Sequence, residues 1–151
     1  MKKNKIVLIL LFFLLSACGY KIANKNNFEF GISNYELTGE RKINQYLERN
    51  FKKIQQNQNY SKLFQIKSFS DMNKTITSKN LSGDAQTYEI EITVKLDVFM
   101  NDEFFKNLFL KETRTYNEMD SKFQLKQYEN ILVRDLVDEI TLVINNYLNS
   151  I

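Results

Sequence analysis

The stretch that decides the fold reads Tyr88-Glu89-Ile90-Glu91-Ile92-Thr93-Val94-Lys95-Leu96-Asp97-Val98-Phe99-Met100. Every second residue from Tyr88 onward is apolar, and the residues between them are polar or charged, with Phe99 as the exception. Such alternation predicts a β-strand with one face on a core and the other face in water. Because one-sided burial is typical of antiparallel sheets, we expect antiparallel neighbours for this strand.

Three further strands are predicted around this one. Alternating apolar residues from Phe28 indicate a first strand that resumes at Tyr35 after an irregularity. Residues 63–77 indicate a second extended segment, in which the alternation is broken near 68–71, so we expect a bulge or two separate strand pieces there. Beyond the long strand, Asn101-Asp102 predicts a turn into a fourth strand at about 104–116.

Two amphipathic helices complete the pattern. The first has apolar residues at helical spacing: Ile43, Leu47, Phe51 and Ile54. The second follows Ser121 and Gln124, which resemble a capping box, and extends close to Ile151. The order β-α-β-β-β-α predicts an α+β two-layer sandwich. Its four-stranded, mixed and mostly antiparallel sheet has strands one and two parallel and carries both helices on one face.

The amino terminus has the three parts of a secretory signal. A basic start is followed by an apolar run from Ile6 to Leu15, and then by the small residues Ser16 and Ala17 before Cys18. The alternative is an uncleaved membrane anchor, but the run is shorter than the roughly 20 residues that span a bilayer. We therefore expect a signal peptide at 1–17, a lipidated start and tether at 18–27, and a single domain at 28–151.

The four residues Leu15-Ser16-Ala17-Cys18 resemble the lipobox of bacterial lipoproteins. That resemblance implies cleavage before Cys18, with a diacylglycerol on its sulfur and an acyl chain on its new amino group, and no other cofactor. Gly19 in the next position implies export to the outer membrane, with the domain at its periplasmic face. A thiol buried in the core is the alternative for Cys18, but it fits poorly beside an apolar run.

The apparent basicity of the chain belongs to the predicted signal. Removing Lys2, Lys3 and Lys5 from the 21 basic residues leaves 18, equal to the 18 acidic residues. A neutral chain gives no reason to expect a nucleic-acid partner.

The composition also argues against catalysis. The chain has no histidine, its one cysteine is assigned to lipid, and its four glycines do not form a phosphate loop. Carboxylate pairs such as Glu89 and Glu91 occupy positions predicted to face water. We therefore expect a protein that is not an enzyme.

The whole arrangement resembles LptE, the lipopolysaccharide-assembly lipoprotein family. The stretches that carry the resemblance are Ala17-Cys18-Gly19-Tyr20, Gly39-Glu40-Arg41-Lys42-Ile43-Asn44, Gly83-Asp84-Ala85-Gln86-Thr87-Tyr88 and Ile131-Leu132-Val133-Arg134-Asp135-Leu136. The resemblance implies a two-layer α/β fold that plugs the β-barrel protein LptD, helps it assemble and takes part in lipopolysaccharide transport to the outer leaflet. It also implies that the chain can bind lipopolysaccharide.

Within that resemblance, basic residues near the turn before the long strand and early in the last helix contact lipopolysaccharide. The closest positions here are Lys79, with Lys74 on the same predicted hairpin, and Arg134; the alternative for each is an ordinary solvated charge. Phe99 is a candidate contact for the barrel or another partner, and its alternative is packing under a loop.

Two rival functions remain open from the sequence. A different envelope lipoprotein could serve as an assembly scaffold or carry a lipid, and a carrier needs a cavity lined by side chains such as Leu96, Val98 and Leu136. An envelope enzyme is the third hypothesis, which the absence of histidine disfavours.

Overall fold

The computed structural model describes residues 28–55, 60 and 62–151. Its elements follow the order β-α-β-β-β-α: β1 Phe30–Gly39, α1 Arg41–Gln55, β2 Lys62–Lys79, β3 Ala85–Met100, β4 Glu103–Asn117 and α2 Lys122–Ser150. This confirms the predicted fold class. The predicted signal peptide, Cys18 and the tether at 18–27 lie outside the described residues.

The long strand β3 occupies an inner position of one four-stranded sheet, whose order is β1-β2-β3-β4. It pairs antiparallel with β2 and with β4, while β1 pairs parallel with β2. The alternation that predicted β3 is realised, because Ile92, Val94 and Leu96 are fully buried whereas Lys95 is exposed. The sheet therefore has an inner face on the core and an outer face toward solvent.

Both helices cover the inner face. The apolar side of α1 is buried along its length, and α2 contributes Leu136, Ile140 and Ile144 to the same core. Ser121 caps α2 by accepting a hydrogen bond from the backbone nitrogen of Gln124 at 3.3 Å, as the sequence predicted.

The irregularity predicted in the first strand is present. The register of β1 against β2 shifts between Ile32 and Asn34, so Ser33 is an extra residue on this strand. Phe30 and Ile32 before the shift are buried, whereas Tyr35 and Leu37 after it are half-buried beside α1.

The break predicted in β2 is wrong. Between Phe64 and Ile76 every residue of β2 pairs with β3 in one unbroken register. The apolar pattern looks broken because Ser68 and Ser70 take inward positions, at 5% and 1% exposure, while Phe69 points outward and is 51% exposed. The strand keeps its period of two, but two of its core-facing positions hold hydroxyl groups.

The sheet has two distinct ends. At the proximal end, β1 begins, the Asn101-Asp102 turn joins β3 to β4, and the Lys62 ammonium donates to the carbonyl oxygen of Ile151 at 2.7 Å. Both turn residues have positive φ, 54° and 65°, as in a two-residue type I′ hairpin. At the distal end, β2 and β3 run past α1 and close in a turn at residues 80–84. The 18 residues of β2 give the sheet a length of roughly 55 Å.

Candidate functional site

Lys74, a lipopolysaccharide candidate from the sequence, lies on the inner face and is engaged by its own domain. Its ammonium forms an ion pair with the carboxylate of Glu129 on α2 at 2.5 Å. The same ammonium lies 4.0 Å from the ring centroid of Tyr88 and 5.8 Å from that of Tyr116. A cation held by a carboxylate and aromatic faces is already neutralised, so the structure gives Lys74 a role in joining β2 to α2.

The carboxylate of Glu129 is the centre of this polar cluster. The Tyr116 hydroxyl donates to it at 2.8 Å, in addition to the bond from Lys74. Burial opposes ionisation, but the bonds from Lys74 and Tyr116 outweigh it and hold the pKa of Glu129 below its usual value. Burial, together with the bond to Glu129, raises the pKa of Tyr116. A hydrogen bond to Glu118 raises the pKa of the neighbouring Tyr88.

Lys79 lies at the distal hairpin, where its side chain is exposed. The turn after it is held by Asn80, whose side-chain oxygen accepts from the backbone nitrogens of Ser82 and Asp84, each at 2.9 Å. This turn displays Leu81 fully to solvent. The distal hairpin therefore presents a cation and an apolar side chain on a fixed turn.

Arg134 is exposed on α2 and contacts the carboxylate of Asp135 at 3.1 Å. It lies away from Lys79. Since Lys74 meets Glu129 while Lys62 meets Ile151, α2 runs antiparallel to β2. Lys79 and Arg134 lie on opposite sides of the Lys74–Glu129 contact and are separated along the sheet by roughly 24 Å. The structure does not bring the predicted basic residues together.

Phe99 is half-buried on the outer face at the proximal end. Its ring meets the ring of Phe104 edge-on at 5.8 Å, and the Lys67 ammonium lies 5.8 Å from its centroid. Phe99 therefore belongs to a group of outward aromatic residues that the sequence pattern did not reveal. Phe69 lies where the apolar alternation of β2 breaks, so its face could not be predicted, and no pattern indicated that Phe109 on β4 would also face outward.

The outer face carries a row of aromatic and charged side chains across three strands. Phe69 pairs with Lys95, which pairs with Phe109 on the other side, and the two phenylalanines are 51% and 59% exposed. The adjoining row consists of Lys67, Asp97 and Asn107, with Asn107 donating to Asp97 at 2.7 Å. All of these side chains except Phe109, with Glu36 and Thr38 of β1, line a shallow groove of about 340 Å³. We use the name outer-face row for the six side chains of these two rows, which are Phe69, Lys95, Phe109, Lys67, Asp97 and Asn107.

The carrier hypothesis required a cavity between the sheet and the helices. Leu96, Val98 and Leu136, which would line it, are all fully buried in one continuous core. This packing disfavours a lipid carried inside the domain.

The described residues contain neither a membrane-spanning helix nor a cluster of potential metal ligands. None of their helices combines the length and apolar character required to cross a bilayer. Within the same part of the chain, potential metal-ligating side chains do not gather in groups of three or more.

The described residues form a small α+β module, with two helices on the inner face of a four-stranded sheet and an outer face toward solvent. Solved structures share this fold. Rare lipoprotein B from Shewanella oneidensis aligns over 76% of this chain and 95% of its own, with a TM-score of 0.54 and 10% identity. A minor lipoprotein from Acinetobacter baumannii aligns over 78% and 90%, with a TM-score of 0.53 and 14% identity. Lipoprotein B from Nitrosomonas europaea aligns over 80% and 87%, with a TM-score of 0.53 and 18% identity.

At such low identities, the likeness to these three proteins establishes a common fold. The sequence matches no protein-family model, and no curated protein matches it.

Proposed function

We propose that this chain is a lipid-anchored lipoprotein of the bacterial outer membrane that plugs an LptD-type β-barrel and assists its assembly for lipopolysaccharide transport. In this proposal the domain lies at the periplasmic face and acts through its surfaces, without catalysis. Acylation of Cys18 holds it at the membrane.

The proposal rests on the agreement of two independent observations. The stretch Leu15-Ser16-Ala17-Cys18 resembles a lipobox, and this resemblance does not depend on the fold of the domain that follows. That domain has the fold of three solved proteins, each described as a lipoprotein. A triacylated cysteine is sufficient for stable attachment, since two lipid chains already give it.

The outer-face row is the surface we propose for contact with the barrel. The lumen of such barrels is polar, whereas their lipid-facing side is apolar. A plug for a polar lumen needs charged and amide groups, with aromatic residues as anchors between them. The outer-face row offers this mixture, because Phe69 and Phe109 flank Lys95 beside Lys67, Asp97 and Asn107.

Affinity purification of the tagged full chain from detergent-solubilised outer membrane tests this proposal. We expect a large β-barrel protein to co-purify in a constant ratio, and the double variant Phe69→Ser/Phe109→Ser to lose most of it. Phe123→Ser is the matched control, because Phe123 is 71% exposed but lies on α2.

Recovery of the wild-type chain without a barrel, under conditions that preserve other barrel complexes, would contradict the plug function. Cys18→Ala tests the anchor separately. This variant should leave the outer-membrane fraction, and its continued tight attachment there would contradict lipid anchoring at Cys18.

A further inference from the structure

We propose that the tip of the β3–β4 hairpin, formed by Phe104 and Phe105, contacts the lipid bilayer beside the acylated Cys18. This inference rests on the lipid anchor of the proposed function. It adds a second attachment, made by the folded domain itself, and it assigns the proximal end of the sheet to the membrane.

The hairpin tip exposes two adjacent phenylalanine side chains to solvent. Phe104 is 61% exposed and Phe105 is 42% exposed, although the two follow each other in the chain. A register shift accounts for this crowding: Phe99 pairs with Phe104 and Val98 pairs with Lys106, so Phe105 is an extra residue without a partner on β3. Leu63, which is 51% exposed, lies on β2 at the same end. Clustered exposed apolar side chains mark surfaces that meet a partner or a membrane.

The position of this tip indicates that its partner is a membrane. β1 begins beside Lys62 at the start of β2, and Phe64 of β2 pairs with Met100 just before the Asn101-Asp102 turn. The described chain therefore starts at the end of the sheet that carries the hairpin tip. Nine residues separate Phe28 from Cys18, and they span at most roughly 30 Å when extended. The tip is within reach of the bilayer that holds the acyl chains.

The charges around the tip indicate which lipids are needed. Lys62 and Lys106 are balanced by Asp102 and Glu103, and Asp102 accepts a hydrogen bond from Gln65. A locally neutral tip gains nothing from anionic headgroups, so its contact depends on insertion of the phenylalanine rings. Zwitterionic phosphatidylcholine should therefore be sufficient.

The absence of tryptophan from the chain allows a direct test. Phe104→Trp gives a single tryptophan at the tip, and Phe123→Trp gives one near the distal end, at a position that is 71% exposed. Each full-length lipidated protein is reconstituted into phosphatidylcholine vesicles with or without brominated acyl chains. We expect brominated lipid to quench Phe104→Trp emission about twofold more than Phe123→Trp emission, because only the tip reaches the acyl region. Equal quenching of the two would overturn the proposal.

Two additional measurements distinguish a variant that does not fold, or a protein that is not anchored, from a protein whose tip does not contact the bilayer. Phe105→Trp repeats the test if Phe104→Trp does not fold, and it should show the same preferential quenching. Vesicle flotation reports whether the protein is anchored at all. A protein that does not float contradicts the lipid anchor and this inference together, whereas a floating protein with equal quenching contradicts the bilayer contact alone.

Discussion

The ion pair of Lys74 with Glu129 connects β2 to α2 across the inner face. The Glu129 side chain is 12% exposed and the Lys74 side chain is 38% exposed, so the pair lies at the margin of the core. Removing one partner of such a pair leaves a poorly hydrated charge, which costs more than the pair itself contributes. The sequence could not indicate this contact, because the two residues lie 55 positions apart and no local pattern links a strand residue to a distant helix.

We expect Lys74→Met to lower the free energy of unfolding by about 1–2 kcal/mol, less than for a fully buried pair because Lys74 is partly exposed. Lys67→Met is the matched control on the same strand, since Lys67 lies 3.6 Å from Glu36 and both side chains are more than 60% exposed. The control should cost less than about 1 kcal/mol. Urea denaturation measures the free energy of unfolding of both variants. Equal losses would show that the Lys74–Glu129 pair contributes no more to stability than the exposed pair.

The pH dependence provides a second test of Glu129. Its folded-state pKa is lowered from 4.5, so its charge stabilises the fold above that value and the benefit is lost as the pH falls through the folded pKa. The wild type should therefore exceed Glu129→Gln in stability near neutral pH, and the gap should shrink in acid. Unfolding curves from about pH 7 to about pH 3 measure the gap. A stability difference that does not change with pH would show that the charge of Glu129 does not stabilise the fold.

Strand β2 shows how hydroxyl groups can serve at core-facing positions. Ser70 donates to the side-chain oxygen of Asn44 at 2.8 Å, and the carbonyl oxygens of Thr38 and Glu40 lie within 3.3 Å of it. It therefore ties β2 to the turn between β1 and α1. Ser68 is also buried, but its hydroxyl has no hydrogen-bond partner among the described residues. Two serines on one face of one strand thus have opposite energetic roles.

Alanine substitutions at these two serines should give different results. Ser70→Ala removes satisfied hydrogen bonds and leaves acceptors behind, so it should lower the free energy of unfolding by about 1 kcal/mol. Ser68→Ala removes a buried hydroxyl without a partner, so its effect should be close to zero or stabilising. Thermal and urea unfolding of the two variants test this, and a loss at Ser68 equal to that at Ser70 would contradict it.

These elements also show where the sequence was informative. The apolar period revealed β3, both helices and their order, because burial acts on every second or every third to fourth residue. It failed on β2 because Ser68 and Ser70 hold core-facing positions, so the apolar alternation stops there although the strand continues. The face of Phe69 could not be predicted, because a phenylalanine in a stretch without regular alternation can lie on either side of a sheet. The outer-face row brings Phe69, Lys95 and Phe109 together from three strands, and no local pattern contains that information.

At the scale of the whole domain, the long axis of the sheet separates two different surfaces. The proximal end holds the exposed hairpin tip, and the distal end holds Lys79 beside the exposed Leu81. The two ends are roughly 55 Å apart. A domain anchored at its proximal end would therefore hold the distal hairpin away from its own anchor, where it could meet a ligand in transit.

This separation leads to a prediction for lipopolysaccharide, whose lipid A carries phosphates and acyl chains. Lys79 and Leu81 offer a cation and an apolar contact on one rigid turn, which suits both parts of that ligand. Arg134 is paired with Asp135, and Asp138 lies one turn further along the same helix, so an anion approaching Arg134 meets negative charge. Lys79→Glu should therefore weaken lipopolysaccharide binding about tenfold, whereas Arg134→Glu should change it little. Both positions are exposed, so neither substitution should alter the unfolding midpoint. Equilibrium binding of the purified variants to lipopolysaccharide measures the difference, and a larger loss at Arg134 would move the site to α2.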